Sequence, residues 1–150
     1  MSFAMLFHLL AVIVWVGGMF FAHTALRPAA IATLQPAQRL PLLLATLAYF
    51  FVWVTVAVVV ILGTGFYLIL ALGGFRAVGV HVHAMMTLGI VMVAIFIHIR
   101  VVSYRRLRLA VGTQSWPDAA AAMGSIRKFV FFNLVLGVIT VAVAVLGRGL

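Results

Sequence analysis

The chain has 150 residues, 67% of them hydrophobic and only 7% charged. A soluble domain of this length has too little interior to hide so much apolar surface, so lipid is its expected solvent. Cysteine is absent and Asp118 is the one acidic side chain, which excludes disulfides, thiolate metal sites, thioether-linked haem and paired-carboxylate catalysis.

The first hydrophobic span runs from about Phe3 to Leu26. No Lys or Arg precedes it and no clear cleavage site follows, so it reads as a membrane helix and not as a signal peptide. A polar loop, Arg27 to Pro41, leads to a second span from about Leu42 to Leu72. After Gly73 to Val80 comes a third, from about His81 to Tyr104. The next loop, Arg105 to Ser125, contains Ser115, Trp116, Pro117 and Asp118, which predict the start of a short surface helix through the alanine run. The fourth span covers about Ile126 to Leu146. Each reaches the roughly 20 residues a membrane helix requires, and an open sheet would leave its backbone unsatisfied in lipid. The expected fold is an all-α integral membrane protein, a single four-helix domain over 1–150 in the bacterial inner membrane.

Basic residues orient it. Arg27 and Arg39 lie in the first loop, and Arg100, Arg105, Arg106, Arg108, Arg127 and Lys128 flank the third. Arg76 and Arg148 fall on the other side. The positive-inside rule therefore puts both termini on the outer, periplasmic side and runs the first and third helices in parallel. The net charge of +9 is thereby accounted for by topology and lipid headgroups, and no nucleic-acid partner is expected.

Five histidines then become informative. His8 and His23 lie fifteen residues apart on the first helix, and His83 and His98 fifteen apart on the third. Fifteen helical residues rise about 22 Å and turn through about four turns plus 60°, so each pair spans most of a hydrocarbon core about 30 Å thick. Ionisable residues within a span are functional candidates. In a sequential bundle the first and third helices are diagonal neighbours. His8 would face His83, and His23 would face His98, the axial arrangement for two stacked b-type haems. Gly17 and Gly18 would leave room for a macrocycle, although small residues equally serve close helix packing. Arg27 would meet a propionate. Thr24 and Asn133 are candidate partners for orienting the imidazoles.

A second constellation competes at the outer end. His81, His83 and Met85 carry imidazole and thioether donors, which suit copper and especially Cu(I). Residues two apart on a helix diverge by about 200°, so His81 and His83 share a metal only if the helix begins after them. Which of the two is the outer ligand stays open. Met86 is adjacent, and Met5, Met19 and Met92 would continue a thioether path.

Residues His8 to Phe21, with Trp15, Gly17 and Gly18, followed by Leu26, Arg27, Pro28 and Ala29, resemble the first helix of the CopD copper-resistance membrane family. The likeness continues through Met85, Met86, Gly89 and Met92, through His98, Ile126 and Arg127, and through Asn133 to Gly137. It ends at Leu146, Gly147 and Arg148. The resemblance implies a four-helix inner-membrane unit linked to copper uptake or tolerance. The spacing of His8, Trp15 and Gly18 is also similar to small haem-containing four-helix protoporphyrinogen oxidases. Three functions follow as expectations. The first is a diheme cytochrome, a haem-dependent membrane oxidoreductase passing electrons from a quinone to oxygen, superoxide or copper. The second is a copper permease using the outer histidines and methionines. The third is a non-catalytic subunit within a homo-oligomer or larger assembly.

Overall fold

The computed structural model describes residues 1–147, so Arg148 lies outside the described residues. Four long helices make up almost all of it: α1, Ser2–Thr33; α2, Pro36–Ala71; α3, Val80–Gly112; and α4, Trp116–Leu146. No strand occurs among the described residues. All four are long and apolar enough to cross a membrane.

Each helix continues past its hydrophobic span at the arginine-rich end. The expected loop of Arg27 to Pro41 shrinks to Leu34 and Gln35, and that of Arg105 to Ser125 shrinks to Thr113–Ser115. Hydropathy ends where charges begin, but Ala, Leu, Arg and Gln remain good helix formers, and Pro36 and Pro117 occupy first-turn positions that tolerate proline. The expected surface helix beginning near Ser115 is thus the first turns of α4. At 36 residues, α2 is about 54 Å long, well beyond the hydrocarbon thickness. At the opposite end α2 stops at Gly73 and Gly74, whose φ values of +103° and +86° suit glycine at a helix terminus.

α4 packs against all three other helices, while α1 also packs on α2, and α2 meets α3 near the basic end. α1 and α3 thus occupy opposite corners and touch through Trp15 and Phe96, whose ring centroids are 6.3 Å apart. Phe51 joins them from α2, edge-on to Phe96 at 5.7 Å. These three rings, all buried, fill the centre. Phe7, Tyr49, Trp53 and Phe132 face outward, as expected where lipid tails are the solvent.

Three stretches widen into π turns: Ile13–Gly17, Ala22–Leu26 and Ile99–Ser103. The second has a local cause. Pro28 lacks an N–H and its ring crowds the carbonyl four residues back, at Thr24, so the turn before it opens.

Candidate functional site

His8 sits half-buried on α1 with its Nδ1 2.9 Å from Thr64 Oγ1 of α2. The Thr64 hydroxyl donates to the Val60 carbonyl of its own helix, so Oγ1 accepts and His8 Nδ1–H donates. The ring is thereby oriented through Nδ1, and Nε2 makes no hydrogen bond among the described residues. A β-carbon at Gly65 would stand 3.5 Å from His8 Cε1, in ordinary contact with the ring. Beyond α2, His83 Nε2 lies 3.1 Å from the Phe75 carbonyl oxygen. A carbonyl only accepts, so Nε2–H donates, and Nδ1 makes no hydrogen bond among the described residues. Metal-bound histidines have this form, one nitrogen tied to an oxygen and the other turned to the metal.

α3 begins at Val80, ahead of both histidines. His81 and His83 therefore diverge by about 200°, and the condition for their sharing one metal is not met. His81 is wedged between Gly79 and Gly147, where an added β-carbon would collide with it. Met85 follows it one turn on, and Met92, eleven residues from His81, comes three turns on along the same face. Met92 is buried; its Sδ is 4.0 Å from Thr140 Oγ1 of α4. Gly137 makes room for it, since a β-carbon there would come within 3.2 Å of Met92 Cε and 2.9 Å of Val16. On α1, Met19 is likewise buried, eleven residues after His8. Two helices thus carry imidazole toward the end opposite the clustered basic side chains and a buried thioether farther along. This His–Met interval is written in the sequence, but the more conspicuous His–His interval masks it.

Each outer histidine has one ring nitrogen engaged, His8 with Thr64 and His83 with the Phe75 carbonyl. At the basic end, His23 lies against Phe131 with centroids 5.4 Å apart, and His98 against Phe129 at 4.7 Å. Phe129 and Phe131 are two residues apart on α4, so the two imidazoles flank opposite sides of that helix. Trp15, Phe51 and Phe96 fill the space between α1 and α3 at the centre of the bundle. Nothing in the arrangement of the described residues supports a haem centre. Gly18 makes room for the Phe50 ring, with which a β-carbon would collide, and Gly17 has open space beside it. Thr24 bonds its own backbone at Phe20, and the buried Asn133 Oδ1 has no hydrogen-bond partner; neither orients an imidazole. His23, Gly18, Arg27 and Arg127 do share one cavity, between α1, α2 and α4.

Among the described residues no three His, Cys, Asp or Glu side chains gather as a metal-binding group. The donors that remain are imidazole nitrogens and thioether sulfurs, carried by a four-span membrane bundle. The protein is by class a multi-pass integral membrane protein of the inner membrane. Copper resistance protein D matches residues 44–146, from α2 to the end of α4, and the chain belongs to that CopD family. The match includes Met85, Met92, His98 and Asn133 but not α1, where His8 and Trp15 lie. No curated protein and no solved structure matches the chain.

Proposed function

We propose that the protein takes up copper across the inner membrane as Cu(I), with His8 as its first fixed ligand. The observation that carries this is the His8–Thr64 hydrogen bond, which fixes the imidazole through Nδ1 and leaves Nε2 without a hydrogen bond, at the end of the bundle opposite the eight clustered basic side chains. Family membership supports copper as the cargo. The donor chemistry supports the monovalent ion: thioethers favour Cu(I), whereas Cu(II) prefers tetragonal nitrogen and oxygen sets. His81 and Met85, on one face of α3, would collect the ion, and Met92 and Met19 would carry it through the apolar centre. In this orientation the eight basic side chains lie on the cytoplasmic side.

The test is titration of the full chain, purified in detergent under reducing conditions, with Cu(I) against a chromophoric chelator. The wild type should retain copper, and His8→Ala should weaken it at least about tenfold, the lower range for losses of even an indirect ligand partner. In proteoliposomes Met92→Leu should slow copper uptake while leaving capture intact. Equal affinity in His8→Ala would overturn the assignment. A b-type haem spectrum that disappears in His8→Ala would replace copper uptake with electron transfer.

A further inference from the structure

Three guanidinium groups, those of Arg27, Arg39 and Arg127, line one cavity of about 260 Å³ at the basic end. They come from three different helices, α1, α2 and α4. No carboxylate compensates them: the chain has one acidic side chain, Asp118, which accepts a hydrogen bond from Ser115 at 2.6 Å. Three like charges brought to one opening repel one another and call for an anion. Arginine suits phosphate best, because its planar donors bind two oxygens at once.

The adjoining cavity says what kind of anion. Arg27 and Arg127 also border a second space of about 160 Å³ whose walls are almost wholly apolar, with Ala22, Leu26, Leu47, Phe50 and Val130 among them. It follows α1 from Arg27 back to Gly18, about 13 Å of helix rise, into the hydrophobic span. A free phosphate has no use for such a groove. A phosphate attached to an acyl chain fits both parts. We infer that this cleft binds one anionic phospholipid from the leaflet at the arginine-rich end, its phosphate among the three arginines and a chain in the groove. Basic pockets between membrane helices on the cytoplasmic side hold such headgroups. The inference stands independently of copper transport.

Native mass spectrometry of the delipidated full chain, with equal phosphatidylglycerol and phosphatidylcholine added, tests it. Phosphatidylglycerol adducts should dominate. A surface arginine contributes roughly fivefold to anionic-lipid affinity, so Arg39→Gln with Arg127→Gln should lower binding about 25-fold, while the paired Lys variants retain most of it. Ala22→Trp, which fills the groove without touching a charge, should also reduce binding. Arg105→Gln with Arg106→Gln, exposed and outside the cavity, should bind like the wild type. Equal retention of both lipids, no effect of the Gln variants, or an equal loss in the Arg105/Arg106 control would overturn the site. Complete displacement by inorganic phosphate, or unchanged binding in Ala22→Trp, would overturn the role of the groove. Circular dichroism and elution profile confirm that each variant is folded.

Discussion

His8 owes its presentation to a residue 56 positions away. Thr64 has its hydroxyl hydrogen fixed by Val60, so its oxygen is always an acceptor for the imidazole. Thr64→Val keeps the shape and removes that acceptor. It should reduce Cu(I) affinity by about 10- to 100-fold, the range for losing a group that orients a metal-bound histidine, with the helix content unchanged. Thr64→Ser should restore binding; a Val variant as tight as the wild type would show that the hydrogen bond has no part in capture. His8 was legible in the sequence as a candidate, since an ionisable group two turns inside a span has few other roles. Its partner was not, because nothing local in α1 says which face of α2 it meets. The neighbours of His23 and His98 were hidden for a related reason: equal spacing fixes depth, but it does not say that the two rings rest on Phe131 and Phe129 of α4.

At the level of the helices, side chains near the basic end are buried as completely as those in the middle of the spans, such as Val54. Leu107 and Ala119 have no exposed surface, and Leu40 has 1%. Water, unlike lipid tails, drives apolar groups together, so the helix extensions past the spans build a small water-driven core of their own. Leu107→Ala should therefore cost about 2–5 kcal/mol, as buried leucines do in soluble cores, read as a lower melting temperature in detergent. An unchanged melting temperature would mean these extensions do not stabilise the bundle. The spans themselves were legible because twenty apolar residues admit few alternatives. The extensions were not, since their leucines and alanines are interspersed with arginines and hydropathy reads them as loop. The π turns also escape a reading that assumes an unbroken period of 3.6, apart from the one that Pro28 foreshadows.

For the whole molecule, the distribution of charge along the bundle axis has an energetic meaning for a travelling ion. A cation moving from the histidine end toward the arginines climbs an electrostatic slope. Each unit charge at about 10 Å in water contributes roughly 0.4 kcal/mol, so eight amount to about 3 kcal/mol before salt screening. The slope would oppose entry and resist leakage back to the far side far less, making the bundle a rectifier pointed the wrong way for uptake. Anionic lipid around Arg27, Arg39 and Arg127 flattens it. Copper entry into proteoliposomes should accordingly run faster in phosphatidylglycerol than in phosphatidylcholine, with the difference shrinking as ionic strength rises. Lipid-independent rates would leave the slope without consequence for the ion. The membrane, on this account, supplies the counter-charge that a chain with a single carboxylate side chain lacks, and its composition sets how steep the last step of the journey is.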